Sequence, residues 1–414
     1  MKSLLLALCG LLSLSFSSSA QWTARTSFPG TSRAKATAFT IGSKIYLVGG
    51  VANSGLILRD FWEYDISTNT WLQKPAFPGP ERYGATSFVL NGQGYVATGG
   101  NDNGYLDDLW QFDPASGTWI QKTGLPVQSP QHENQRREAF SFVVGNRAYL
   151  GGGDGWVFGA NQTSNYAFPD LWEYNPANDT WTPKSGFPDF FGRDLSIAVS
   201  MYSKGYVGLG CNVGQTINYQ TFWQYDPATD TWTSKPNFPT AFSADAGAFV
   251  FDSNLYVVGG IRMSPLAASN QVYKFDPVAN TWTQQPNYNG GAVVGEVCIS
   301  AATQAFAQGG YNGSLVTRND LWEFTPTITG IHEVHSASGI TATLFPNPAQ
   351  EVIYLRASKE ITSVEIYDIT GLLVSEGKNE LNGIDIRNLQ TGLYNMKMIF
   401  ADGTSMFSRF IKAN

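Results

Sequence analysis

Lys44-Ile45-Tyr46-Leu47-Val48-Gly49-Gly50 is an apolar, alternating strand that runs straight into paired glycines. The same ending returns at Thr98-Gly99-Gly100, Gly151-Gly152-Gly153, Gly208-Leu209-Gly210, Val258-Gly259-Gly260 and Gln308-Gly309-Gly310. A period of about fifty residues marks a repeat architecture, in which one supersecondary unit cannot bury its own faces and stacks on its neighbours.

Around the first copy, Ala38-Phe39-Thr40-Ile41 alternates as a strand, Gly42-Ser43 turns, and the glycine-ended strand follows. After a variable loop, Phe61-Trp62-Glu63-Tyr64-Asp65 reads as a third strand and Thr70-Trp71-Leu72 begins a fourth. Alternation with turn residues between the runs predicts four antiparallel strands, one blade of a β-propeller. The third strand returns at Leu109, Leu171, Phe222, Val272 and Leu321, and the fourth-strand Trp at Trp119, Trp181, Trp232 and Trp282. No such Trp follows Trp322. Its counterpart is Gln21-Trp22-Thr23 with Phe28-Pro29, which matches Thr231-Trp232-Thr233 with Phe238-Pro239. The N-terminal strand is therefore expected to complete the sixth blade, leaving only short, protected sheet edges.

Paired glycines, an aromatic-rich strand and a following Trp resemble the kelch repeat over residues 21–327. The expected fold is all-β: a six-bladed β-propeller closed by the N-terminal strand, followed by a small C-terminal β-sandwich. Leu209 interrupts one glycine pair, and Tyr273 replaces the third-strand Trp of the fifth repeat. Trp at repeat positions reads as packing between blades. Trp156 lies off the pattern in a long loop and reads as a ligand-stacking candidate.

Charged residues make up only 14% of the 414, and the net charge is −7. No basic tract offsets that balance, which argues against nucleic acid and anionic membrane surfaces as partners. Residues 1–20 read as an export signal: Lys2, an apolar run from Leu4 to Leu14, and Ser18-Ser19-Ala20 as a small-residue cleavage site. Beyond it only Cys211 and Cys298 remain, in non-adjacent repeats, and they read as buried free thiols rather than a disulfide framework.

Loops joining strands two to three, and those joining one blade to the next, share a face and are the long ones. Function on repeat proteins concentrates where insertions do. The largest are at Val127 to Arg137 and Asp154 to Asp170, gathering Gln131, His132, Arg136, Arg137, Trp156, Phe158, Asn161 and Tyr166 in one sector. Six residues before the equivalent apolar positions of blades 1–4 stand Arg33, Arg82, Arg136 and Arg193, with Ser243 and Val293 in blades 5 and 6. The kelch resemblance implies that arginines there line a ligand pocket, where their planar donors suit carboxylates, phosphates or sugar hydroxyls. The alternative is that each bonds carbonyls and carboxylates of neighbouring blades. Tyr83, Asp245 and Glu296 are neighbouring candidates. Asn101 to Asp108 could supply oxygen ligands to calcium, but as a solvated loop it needs no ion, and that is the preferred reading. No cofactor or metal is expected: the mature chain has three His, none placed to activate a Cys or build a three-His site.

From Leu344 the pattern changes. Short strands are expected at Val352 to Leu355, Ile361 to Tyr367, Leu372 to Val374, Ile384 to Ile386, Gly392 to Ile399 and Met406 to Ile411. Leu344-Phe345-Pro346-Asn347-Pro348, Ile366-Tyr367-Asp368-Ile369-Thr370-Gly371, Leu389-Gln390-Thr391-Gly392-Leu393-Tyr394 and Phe410-Ile411-Lys412 resemble the type A C-terminal sorting domain of the type IX secretion system. That resemblance implies a Bacteroidetes source, passage through the periplasm to the outer surface or medium, and the secretion machinery as partner of 343–414. The division is then a signal peptide at 1–20, a propeller at 21–327, a linker at 328–342 and a sorting domain at 343–414.

The functional expectation is a secreted or surface-displayed monomer that binds a protein or glycan through its insertion-rich face. The alternative is an enzyme of the sialic acid mutarotase type, a reaction that needs only a placed acid and base. Such six-bladed kelch enzymes share the Phe77-Pro78-Gly79 and Arg82 arrangement. Galactose-oxidase-like copper chemistry lacks its Tyr-Cys-His set here.

Overall fold

A computed structural model describes residues 21–127, 134–158, 163–188, 192–301, 304–325, 334–335, 341–345, 349–357, 359–377 and 383–412. The expected leader at 1–20 and most of the expected linker lie outside them. Every helix or strand among the described residues is a strand.

Six four-stranded antiparallel sheets follow one another along the chain. Blade 1 runs Thr37–Ile41, Lys44–Val48, Phe61–Asp65 and Thr70–Lys74 from the axis outward. Blades 2 to 5 repeat this order. Blade 6 takes Val297–Ala301, Gln304–Gln308 and Leu321–Thr325 from the end of the propeller, and its outer strand is Gln21–Ala24, with Trp22 opposite Phe324. The ring closes as the sequence predicts. Trp22, 4% exposed, packs edge-on against Tyr288 at 4.8 Å and tilted against Phe324 at 5.1 Å, so the closing strand is pinned by an apolar anchor as well as by its ladder.

The glycine signature has a backbone cause. Its first position is left-handed in every blade, at Gly49, Thr98, Gly152, Leu209, Gly259 and Gly309, with φ between 60 and 66°. Thr98 and Leu209 show that a side chain is tolerated there. The second position is glycine throughout: a Cβ on Gly210 would lie 2.3 Å from the Asp194 carbonyl oxygen and one on Gly153 2.4 Å from that of Arg137. The second blade's pair is therefore Thr98-Gly99, and Gly100 lies outside it.

Two kinds of Trp hold blades together. Fourth-strand indoles donate back to the chain joining the preceding blade, Trp71 to the Thr26 carbonyl at 3.0 Å, Trp181 to Thr123 at 2.8 Å and Trp232 to Ser185 at 2.9 Å. Third-strand Trp62, Trp110, Trp172 and Trp322 donate to Asp60, Asp108, Asp170 and Asp320, each two residues earlier.

Val334–His335 and the described residues of 341–412 form two four-stranded sheets, with Gly392–Phe400 central in one of them and an apolar core that includes Ile353, Ile366, Met396, Met398 and Phe410. The observed strands agree with the expected ones to within a few residues. This domain sits on the short-turn side of the propeller.

Candidate functional site

The four arginines take equivalent places in blades 1 to 4, none of them facing open solvent. Arg33, Arg82, Arg136 and Arg193 are all 0% exposed. Arg33 makes a two-pronged contact with Asp60 at 2.5 and 2.7 Å and donates to the Gly49 carbonyl at 2.8 Å. Arg82 repeats this with Asp108 at 2.8 and 2.7 Å and Thr98 at 2.9 Å. Arg136 does so with Asp170 at 2.6 and 2.8 Å and Gly152 at 3.1 Å. In blade 4 the acceptors are the Leu209 carbonyl at 2.8 Å and the Thr221 hydroxyl at 2.7 Å. The guanidinium planes cover Phe28, Phe77, Phe168 and Phe187. Each group thus ties the left-handed residue sixteen positions later to the carboxylate or hydroxyl heading the third strand. Their partners are carbonyls and carboxylates or a hydroxyl, as the alternative to a ligand pocket expects, but these belong to each arginine's own blade and not to neighbouring blades.

The same triad explains the odd blade. An Arg, an Asp and a Trp share one carboxylate in blades 1 to 3, so each depends on the others. Blade 5 replaces all three together, with Ser243, Gln271 and Tyr273. In blade 6, Val293 stands at the arginine position and Arg318 supplies the partner of Asp320 from two residues away.

Two residues beyond each ring position stand Lys35, Gly84, Glu138, Leu195, Asp245 and Gly295, all left-handed with φ of 54 to 62°. Their backbones bond head to tail around the axis: Gly84 N–H to Lys35 O at 2.9 Å, Glu138 to Gly84 at 2.7 Å, Asp245 to Leu195 at 3.1 Å, Gly295 to Asp245 at 2.9 Å and Lys35 to Gly295 at 2.9 Å. This collar fixes what reaches the channel mouth. Lys35 of blade 1 places its ammonium between Glu138 of blade 3 at 2.9 Å and Asp245 of blade 5 at 2.8 Å, crossing the mouth. Burial alone would lower the Lys35 pKa, yet the two carboxylates outweigh it and hold the ammonium above its ordinary value.

Beside this bridge lies a cavity of about 160 Å³ lined by Lys35, Val51, Tyr83, Arg137, Glu138, Asp194, Leu195, Gln215 and Tyr311. Arg137 pairs with Asp154 at 3.0 Å, bonds the Tyr83 hydroxyl, and lies over the rings of Tyr83 and Tyr105. Asp194 is 2% exposed; burial pushes its carboxyl up to about 7, and the Cys211 thiol donates to it at 3.0 Å. Below the collar the channel, about 240 Å³, is lined by three inner-strand residues from each blade. Most are small or hydroxylated; Glu296 is the one ionisable carboxyl among them, and burial pushes it up to about 8.

Among the expected residues, Tyr83 lines the mouth cavity and Glu296 the channel below it. Trp156 is not in a loop: it lies in Asp154–Phe158, which pairs with Thr163–Ala167 and with Arg136–Arg137 as a three-stranded sheet. Alternating residues on both arms of the insertion explain that hairpin. Trp156 stays 37% exposed and stacks on Tyr105 at 5.7 Å, while Tyr166 packs edge-on against Phe168. Gln131, His132 and Asn161 lie outside the described residues. In the Asn101 loop the Asn101 side chain accepts from Asn103 N–H at 2.8 Å, and Asp108 belongs to Arg82. The sequence reading placed Arg137 in the insertion-rich sector but missed Lys35, Glu138 and Asp194. Their signal was available, as charged residues one and two places after the ring position. Cys211 and Cys298 are free thiols.

Fold and repeat chemistry define a β-propeller of the kelch class with an appended sorting domain. The chain carries both: residues 7–153 match the KLHDC2/KLHL20/DRC7 Kelch-repeats domain, 243–287 the Kelch motif, and 343–413 the secretion system C-terminal sorting domain. Among solved structures it is similar to the one titled "Structure of YjhT", at 16% identity and a TM-score of 0.58, over 72% of this chain and 96% of that one. No curated protein matches the chain. The sorting domain marks the protein for type IX export to the cell surface or the medium.

Proposed function

We propose that this exported propeller is a binding module that holds a carbohydrate at the collar mouth. The carrying observation is the continuity of one wall: exposed Trp156 stacks on Tyr105, Tyr105 and Tyr83 flank Arg137, and Tyr83 opens onto the cavity with Lys35, Glu138 and Asp194. An aromatic platform beside fixed donors and acceptors suits the apolar face and hydroxyl edge of a sugar ring. Pockets for drug-sized ligands run to about 300 Å³ or more, so this smaller cavity suits one terminal residue of a glycan. Charge narrows the class further. Lys35 and Arg137 already face Glu138, Asp245 and Asp154, which favours neutral sugars over the anionic ones that free arginines would select. A glycan array tests this: the mature chain should bind neutral glycans, and Trp156→Ala and Arg137→Ala should each remove the signal. Binding unaffected by both substitutions, or absent from the unaltered chain, counts against it.

One observation favours an enzymatic second reading. Asp194, raised towards neutrality, shares the cavity with Glu138, which supplies an acid and a base at one site. Proton NMR of sialic acid anomers would show accelerated interconversion, lost in Asp194→Asn; a rate equal to buffer removes this reading.

A further inference from the structure

The turns joining the first two strands of each blade form the face opposite the collar, separated from it by five-residue inner strands of about 17 Å. Blades 1 to 3 build these turns with glycine: Gly42, Asn91-Gly92 and Gly145 take the positive φ angles. Blades 4 and 5 do not. Tyr202 and Ser203 have φ of 51 and 57°, and Asp252 and Ser253 of 54 and 57°. Both turns hold two left-handed residues, a geometry that Asn-Gly satisfies best and that a Tyr disfavours. Local strain of this kind persists where surrounding structure fixes it and a role retains it.

The C-terminal domain sits on these two turns. The Tyr202 ring meets Phe407 at 4.5 Å and Tyr367 at 5.9 Å. Gly371 lies so close to blade 4 that a Cβ there would come within 2.8 Å of the Met201 Cα. Arg409 bonds Asp252 at 2.6 Å. Ile369 and Leu393, 2% and 4% exposed, share a buried cluster with Phe249 and Phe251 of blade 5. Apolar burial, a close backbone approach and an ion pair therefore meet at the two turns that, among the described residues, lack the glycine of blades 1 to 3.

We propose that the turns of blades 4 and 5 are a binding site for the C-terminal domain that acts without the covalent linker, so the two parts stay associated as separate chains. The sorting domain then caps the face away from the collar and leaves the mouth open while it is attached. Tyr202 is the specificity-determining residue, since no other blade offers an aromatic at that turn.

The test uses the whole chain with a protease site placed within 328–342. After cleavage, gel filtration should return one peak containing both pieces. Two separate peaks from the otherwise unaltered chain show that only the linker enforces the contact, which overturns the proposal. The Tyr202→Asn, Ser203→Gly double variant restores the preferred turn, so the propeller should melt no lower, while loss of the aromatic contacts weakens retention by about tenfold. Arg409→Ala should weaken it in the same direction. Retention unchanged in both variants places the association elsewhere and also overturns the proposal.

Discussion

Arg82→Ala separates an architectural arginine from a ligand-binding one. The guanidinium is fully buried, contacts Asp108 at 2.8 and 2.7 Å, donates to the Thr98 and Pro80 carbonyls, and covers Phe77 at 4.7 Å. Its removal leaves Asp108, whose side chain is 13% exposed, with Trp110 Nε1 at 2.8 Å as its remaining named donor. Removing one partner of a buried pair costs about 3–5 kcal/mol, because the surviving charge is uncompensated. For a domain of this size that corresponds to roughly 5–8 °C in Tm. Blade 5 supplies the compensating design. The triple variant Arg82→Ser, Asp108→Gln, Trp110→Tyr transplants its triad and should recover most of the loss, since no charge is left buried. Calorimetry on the three proteins, alongside glycan binding, gives the answer. If Arg82→Ala melts within about 2 °C of the parent yet loses its ligand, where a broken buried pair should cost several times that shift, the architectural reasoning is refuted.

Trp22→Ala removes the anchor of the closing strand, and at about 3–5 kcal/mol for a buried Trp it should lower Tm and open residues 21–24 to proteolysis; an unchanged digestion pattern contradicts ring closure by this strand. Glu296 is held by burial at about 8, above its unfolded value. The folded chain thus binds this proton more tightly than the unfolded chain, and the resulting stability is present below about pH 4.5 and lost as pH rises towards 8. Glu296→Gln should flatten the decline in Tm between those limits, and an identical slope in the variant would falsify the assignment. Lys35→Met leaves Glu138 and Asp245 facing each other without their shared cation, so Tm should fall most at neutral pH and recover on acidification; a pH-independent loss would point to packing alone.

Residues 37–74, read by alternation and turn chemistry, are enough to write down a blade, and five further copies count the ring. Even closure is legible, because a fourth strand is missing at one end and present at the other. The sorting domain is equally local, written in short motifs and strands between 343 and 414. These features depend on neighbours two to twenty residues apart, the range over which backbone propensity and side-chain alternation act. The partners of side chains follow a different rule. Arg33 looks the same in sequence whether it faces a ligand or Asp60, and only the folded blade brings that carboxylate against it. Lys35, Glu138 and Asp245 belong to blades 1, 3 and 5, and no periodicity links them; they meet because closing six twisted sheets on one axis brings every second inner strand across the same opening. Tyr202 likewise reads as an ordinary turn residue until the C-terminal domain packs upon it. The sequence by itself determined the repeat, the ring and the address; the tertiary structure decided which charges cancel, which remain at the mouth, and which face the sorting domain covers.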